Sequence, residues 1–298
     1  MGKQLLKNIA NWTLSSRWNI GFIDFNSSNF LKQDRLKVHW MKHTYKDRWF
    51  ADPFILSVHD NIIELLVEEY YDPIKRGRIS KLTVDAYSFA LLDNQVVLEL
   101  DSHLSYPAIL EIDREIYVYP ENSEDNCLIL YKYDAGACKL IPVSVLNDKP
   151  LTDATITELF SKPYMFSTQM PNPNNNELNV YASDMLNGIY ILKDTICFQD
   201  NTARCAGDFF QIGNKLYRPA QNCNNGYGKG LVIQEVSFQN GKFSFVEKQR
   251  FYPNSWKWNL GLHTFNVNDK IAVVDGRGYR KPLIGHIVGY IYNLFSKK

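Results

Sequence analysis

The sequence predicts an all-β chain folded as a five-bladed β-propeller with short helical N- and C-terminal segments. Five stretches share one pattern: a small or polar start, a short apolar strand, a turn, and a second strand ending in polar residues. With Asp52, Tyr106, Asp153, Gly207 and His263 taken as equivalent, the successive offsets are 54, 47, 54 and 56 residues. A period of roughly 50 residues with a hairpin in each unit is propeller-like. Helical periodicity is confined to the two ends. An antiparallel sandwich is the competing architecture, because hairpins resemble one another; against it, the polar residues repeat along with the apolar ones.

Taken in order, the early WNIGFIDF is expected to close the ring by joining the last blade. The five blade cores are ADPFILSVHDNIIELLVEEY (51–70), SYPAILEIDREIYVYPEN (105–122), TDATITELFSKPYMFST (152–168), CAGDFFQIGNKLYRPAQN (205–222) and GLHTFNVNDKIAVVDGRG (261–278). Segments such as NCLILYKYD, ELNVYAS, GLVIQEVSF and FSFVEKQRF supply outer strands. Residues 3–14 and 282–296 read as amphipathic helices. In the second, Ile284, Val288, Ile291 and Leu294 form a stripe flanked by Arg280, Lys281, Lys297 and Lys298. Such a helix either lies in a membrane interface or packs on the propeller. The 298 residues suffice for one domain spanning the chain.

Composition narrows the function classes. A net charge of +1 gives no global field for nucleic acid, and no nucleic-acid partner is expected. Aromatic residues, at 14%, suit both β-rich folds and sugar-binding surfaces. Cys127, Cys138, Cys197, Cys205 and Cys223 are odd in number and lack CxxC spacing, which favours free thiols in a reducing compartment. No secretory h-region and no run of about 18 apolar residues is present. The expected location is cytoplasmic, with a peripheral place on the inner membrane face if the terminal helices are interfacial.

In a propeller, equivalent strand ends converge on the central channel. The first strands then bring Asp52, Tyr106, Asp153, Gly207 and His263 together, and the second strands end in Glu68–Glu69, Glu121, Ser167, Arg218–Gln221 and Asp275–Arg277. Each member has a bland reading. Asp52 before Pro53 can start a turn, Asp153 can cap one, Glu121 can be a solvated loop acid, and His263 can be a hydrogen-bonded core residue. Arg218 is the hardest to explain structurally, because a buried arginine needs a carboxylate or an anionic ligand. Paired carboxylates suit glycosyl chemistry, and arginines suit a phosphorylated sugar donor.

The pieces ADPF, HLSYP, YPEN, RPAQNC…YG and GLHTFN…VVDG, spread over Trp49 to Gly278, resemble the N-terminal domain of plant glucosamine inositolphosphorylceramide transferases. They also resemble bacterial relatives, some carrying this domain beside a formyltransferase-like one. That domain is in turn distantly similar to the five-bladed propellers of arabinanase- and invertase-type furanosidases. The resemblance implies a central carbohydrate site. In the plant proteins it places the transferase chemistry in a separate C-terminal domain. Asp52 matches the first-blade aspartate of the furanosidases; Tyr106, where the resemblance implies an acid, and the fourth-blade CAG depart from their three-acid pattern.

The expected function is glycosyl transfer, furanosyl transfer included, in glycan or surface-polysaccharide assembly. Asp52, Glu121 and Asp153 are its catalytic candidates. His103, Tyr106, Arg204, Arg218, Gln221, Tyr227, His263, Asp275 and Arg277 are the substrate-binding ones, Arg218 and Arg277 holding donor phosphate. Partners would be a sugar or phosphorylated sugar donor and a lipid-linked glycan acceptor at the membrane surface. A furanosidase-type hydrolase and a non-catalytic glycan-binding propeller are the alternatives. No cofactor or metal is predicted, and no ligand cluster compels a channel cation.

Overall fold

Alternating apolar residues dictate the strands, and the register of their pairs dictates what faces the centre. The structure, a computed structural model, describes residues 14–159 and 161–296. The helix expected over 3–14 lies, but for Leu14, outside the described residues. Strands β1 (Ser16–Asp24) and β2 (His39–Trp40) precede the first complete blade. Blade 1 holds β3 (Arg48–His59), β4 (Ile62–Tyr71), β5 (Arg76–Asp85) and β6 (Leu91–Leu98). Blade 2 holds β7 (Ser105–Ile112), β8 (Glu115–Glu121), β9 (Leu128–Asp134) and β10 (Lys139–Asn147). Blade 3 holds β11 (Leu151–Leu159), β12 (Lys162–Gln169), β13 (Glu177–Ala182) and β14 (Ile191–Cys197). Blade 4 holds β15 (Phe210–Ile212), β16 (Lys215–Gln221), β17 (Leu231–Gln239) and β18 (Lys242–Phe251). After β19 (Phe265–Asn268) and β20 (Ile271–Tyr279) comes one helix, α1 (Pro282–Ser296).

Each blade is a four-stranded antiparallel meander, and the fifth is completed across the chain ends in the order β19-β20-β1-β2. Strand β1 pairs with β20 along its full length, from Ser16 opposite Tyr279 to Asp24 opposite Ile271. This is the five-bladed propeller expected from the repeat, closed by the segment expected to close it. Apolar seams between neighbouring blades form the core. One such seam gathers Ile20, Phe22, Phe50, Leu65, Val67 and Val273 from blades 5 and 1. Another joins Ala108, Leu110 and Tyr119 of blade 2 to Leu151, Ile156 and Met165 of blade 3.

The repeated polar positions share a backbone device. Asp52, Tyr106 and Asp153 have φ of 49°, 44° and 46°, and Gly207 has 142°. In the first three blades the pairing slips here: Ala51 and Phe54, three residues apart, face Glu68 and Leu66, two apart. Ser105 and Ala108 face Glu121 and Tyr119 in the same way, and Thr152 and Thr155 face Thr168 and Phe166. One extra residue per first strand is a β-bulge, which bends the strand and re-aims side chains at its end. Non-glycine residues at positive φ carry strain of order 1–3 kcal/mol each, and such sites cluster where function needs them.

Helix α1 occupies the terminal segment expected to be helical. Its contact with the propeller runs through Gly285 and Gly289, where a Cβ would collide with the Tyr279 ring and hydroxyl. Ile284 of the apolar stripe is 42% exposed, and Val288 is half-buried. Small residues let the helix backbone approach the ring, while Leu283, Ile284, Ile287 and Tyr290 stay exposed.

Candidate functional site

The first strands converge so closely that each blade's bulge is tied to the blade before it. The Asp52 N–H donates to Asp275 Oδ2 at 3.0 Å, the Tyr106 N–H to Asp52 Oδ2 at 3.2 Å, and the Asp153 N–H to Glu121 Oε2 at 2.9 Å. A chain of carboxylates thus binds the N–H groups that positive φ turns toward the axis. In blade 4 the tie runs forward instead: the Asp208 N–H, next to Gly207, reaches Asn266 Oδ1 of blade 5 at 2.7 Å.

Two charged clusters follow. In the first, Asp153 is clamped by Arg204 Nε and by Gln221 Nε2, each 2.5 Å from Oδ2, while Glu121 lies 3.5 Å from Arg204. The Tyr227 ring covers the Arg204 guanidinium at 4.9 Å. In the second, His263 Nδ1 donates to Asp275 Oδ2 at 2.6 Å and Nε2 lies 3.8 Å from Asp52 Oδ1. The Thr264 hydroxyl donates to Asp52 Oδ1 at 2.7 Å. Trp18, from the ring-closing strand, stacks on the His263 imidazole at 4.0 Å, and Tyr227 meets it edge-on at 5.1 Å. Tyr106 points its hydroxyl at Thr155 Oγ1, 2.8 Å away.

Burial and like charges set the protonation. Loss of solvent pushes the Asp52 carboxyl up to about 7, opposed by His263 and reinforced by Asp153, Glu68 and Asp275. Burial and then the Asp153 charge push Glu121 up to about 8 against the pull of Arg204. His263 moves oppositely: burial favours the neutral ring, but Asp275 and Asp52 outweigh it and raise the imidazole to about 9. Burial alone lifts Asp208 to about 7. Asp52 and Glu121 are thus carboxyl groups raised toward neutrality beside the Arg204 and His263 cations, the combination that acid–base chemistry uses.

Asp52, Glu121, Asp153, Tyr106, Arg204, Gln221, Tyr227, His263 and Asp275 are accordingly brought together. His103 sits at the rim: its Nδ1 accepts from the Gly77 N–H at 2.9 Å and its Nε2 lies 3.3 Å from Glu68. Arg277 stands on the blade 5 side, 5.9 Å from the Trp18 ring, with Nε donating to Ser16 Oγ at 2.8 Å. Arg218 is the correction. It is fully buried between blades 3 and 4, bonded to Gln234 Oε1 at 2.7 Å and to the carbonyls of Thr202 and Ala203, under the Phe198 and Phe245 rings. Its charge is absorbed by acceptor dipoles, and its position holds no donor phosphate.

Residues outside the list of catalytic and binding candidates complete the site. Glu68 faces His103 as Glu121 faces Arg204, and both sit opposite the residue just before a bulge. Next to Trp18 opens a cavity of about 380 Å³ lined by Trp49, Tyr70, Arg277, Arg17 and Arg280. Its Trp49 and Tyr70 rings stack in parallel at 4.7 Å. Flat aromatic faces beside arginines suit a sugar ring bearing an anionic group. Asp52, His263 and Asp275 present ligand atoms close enough to hold a metal ion. The direct His263–Asp275 and Thr264–Asp52 hydrogen bonds satisfy those groups without one.

The family model described as glucosamine inositolphosphorylceramide transferase 1, N-terminal, matches residues 38–276. Curated relatives named glucosamine inositolphosphorylceramide transferase 1 include one from Arabidopsis thaliana, 28% identical over 268 residues, covering 81% of this chain and 34% of the relative. Another, from Oryza sativa subsp. japonica, is 28% identical over 201 residues, 64% of this chain and 27% of the relative. The chain thus spans about a third of these relatives' length. Among solved structures, a β-xylosidase/α-arabinofuranosidase from a compost microbial metagenome superposes with a TM-score of 0.53 at 12% identity, covering 76% of this chain and 84% of that one. An exo-β-1,3-galactanase from Phanerochaete chrysosporium gives 0.51 at 10% identity, over 76% and 62%. At these identities the likeness is one of fold.

Proposed function

Since the chain belongs to the glucosamine inositolphosphorylceramide transferase N-terminal family, and is on that ground carbohydrate-related, we propose that its central channel carries out glycosyl transfer from an anionic sugar donor. The observation that carries this reading is the pair of proton-exchanging carboxyls, Asp52 and Glu121, beside the aromatic and arginine-lined cavity at Trp18. In this reading Asp52, when ionised, takes the proton of the acceptor hydroxyl as its oxygen attacks the anomeric carbon. The leaving group departs with the bonding pair. Glu121 supplies a proton where that group needs one, and Arg277 holds it where it is a phosphate. Asp153, locked by Arg204 and Gln221, positions Glu121 through its backbone N–H. A lipid-linked acceptor and a cytoplasmic, membrane-peripheral location belong to the same proposal.

One observation favours a second reading. Asp52 and Asp153 are only 4% and 2% exposed, which suits a glycan-binding module whose polar centre is structural. A thermal-shift and turnover screen with free sugars, sugar phosphates and nucleotide sugars separates the two. At 100 times its Kd a ligand stabilises the fold by about 2.7 kcal/mol. The transfer reading expects a shift with phosphorylated donors, lost in Arg277→Ala, and turnover lost in Asp52→Asn. A shift with free glycans alone, unchanged in Arg277→Ala and without turnover, would establish the binding module instead.

A further inference from the structure

Beside the channel, on the edge where blades 5 and 1 meet, lies a larger groove of about 680 Å³. Arg17, Lys42, Lys46, Arg48, Lys257 and Arg280 line it together with Trp40 and Trp258, and none of its described lining residues is an acid. Arg17 and Arg48 are partly satisfied by Asp72 and by Asp47 and Glu69. No described carboxylate pairs with Lys42, Lys46 or Lys257, which are all exposed. In the groove wall, His43 Nδ1 is buried without a hydrogen-bond partner. Burial first, then the charges of Lys257 and Arg17, drive this imidazole down to about 4. The groove is a concavity lined by cations and by no described acid.

Next to it, α1 presents Leu283, Ile284, Ile287 and Tyr290 to solvent at 65%, 42%, 54% and 68% exposure. Trp256, 64% exposed, extends this face; its carbonyl is 2.9 Å from His286 Nε2 of α1. The groove residues Lys257, Arg280 and Lys281 join the two surfaces along the chain. A soluble phosphate would leave the apolar face unaccounted for, and an uncharged partner would leave the lysines so.

We propose that this edge docks on an anionic phospholipid bilayer, a headgroup phosphate entering the Lys42–Lys46–Lys257 groove while the Leu283–Ile287–Tyr290 face of α1 enters the acyl boundary. An apolar helical face bordered by aromatic and basic residues is the composition that interfacial binding selects. Each lysine near an anionic leaflet contributes about a fivefold gain in affinity. The proposal is independent of the channel chemistry, and its test reads no turnover.

The whole chain is co-sedimented with vesicles of phosphatidylcholine alone and of phosphatidylcholine with 30% phosphatidylglycerol, at low and high salt. The expected result is binding to the anionic vesicles only, weakened by salt. The combined Lys42→Glu, Lys46→Glu and Lys257→Glu variant should lose on the order of 100-fold in affinity. Ile287→Asn should weaken binding at unchanged charge. Both changes lie at exposed positions, and circular dichroism checks that each variant stays folded. Failure of the folded wild type to bind anionic vesicles would overturn the proposal, as would equal binding by the charge variant. Full competition by inorganic phosphate, with Ile287→Asn binding normally, would replace the bilayer with a soluble phosphate ligand.

Discussion

Burial holds Asp52 in a state that free aspartate abandons above pH 4. Its carboxyl is raised from 3.8 to about 7, Glu121 from 4.5 to about 8, and His263 from 6.5 to about 9. In all three windows the folded chain binds more protons than the unfolded one, so each makes stability fall as pH rises. For the acids, the loss develops between the unfolded and folded values. For His263, the contribution is complete below 6.5 and gone above about 9. Melting temperature should therefore decline from pH 5 to 9, and Asp52→Asn should flatten the part of the decline below pH 7. Asparagine can still accept from the Tyr106 N–H and donate to the Thr264 hydroxyl, so the variant should melt no lower than wild type at pH 8. If the channel transfers glycosyl groups, turnover in that variant should drop 10²- to 10⁴-fold. Arg218 sets the opposite expectation. Arg218→Met strands the Gln234 side chain and two carbonyls in the interior at a cost of about 3 kcal/mol, or roughly 5 °C in Tm. Binding of a phosphorylated sugar, titrated below the new Tm, should be unchanged. Period-2 alternation already contained this distinction: Arg218 and Gln221 are three apart on one strand, so they point to opposite faces. Glu68 and Glu69 divide likewise, Glu68 toward His103 and Glu69 toward Arg48, Arg78 and Ser80.

At the scale of the element, the bulge explains why the repeat was visible without its purpose being so. Spacing located Asp52, Tyr106, Asp153 and Gly207, but no propensity announces that a tyrosine or an aspartate will take a left-handed conformation. What holds them there comes from the adjoining blade, in the carboxylates that accept their N–H groups or those of the next blade. Blade 4 shows the limit of the device. At Gly207 a side chain would strike the Phe265 carbonyl and the Asn266 amide, which is why CAG stands where an acid was sought. Gly207→Ala should destabilise the fold by about 1–3 kcal/mol through overpacking, measured by urea denaturation, and an aspartate placed there should do worse without gaining function. The terminal helix was legible as an element from its apolar spacing. Its contact face was not, because glycines packed on Tyr279 leave no hydrophobic signature.

For the whole molecule, the blade count and the closing strand followed from the sequence because a roughly 50-residue period constrains topology strongly. The channel cluster was legible as a set of strand ends. The two arginine- and aromatic-rich cavities were not, since they draw on β1, the segment after β2 and the chain beyond β18, which only ring closure assembles. Closure should also be indispensable to cooperativity. A chain lacking residues 1–24 loses β1 and the partner of every β20 residue, and exposes Phe50, Leu65 and Val273 of the seam. Such a chain should bind a hydrophobic dye and show no single sharp thermal transition, whereas the intact chain should melt in one.

The pairing of β1 with β20 sets Ser16 directly opposite Tyr279, and Arg277 reaches Ser16 across a separation of 261 residues. Directly opposed residues in antiparallel strands lie about 4.5–5.5 Å apart, inside the span a disulfide bridges. One covalent bond at this seam would turn a linear polymer into a nearly complete circle without altering a blade. It would also free the position of the ends, since a cut made in any exposed loop of the circle would leave the same five sheets facing the same channel.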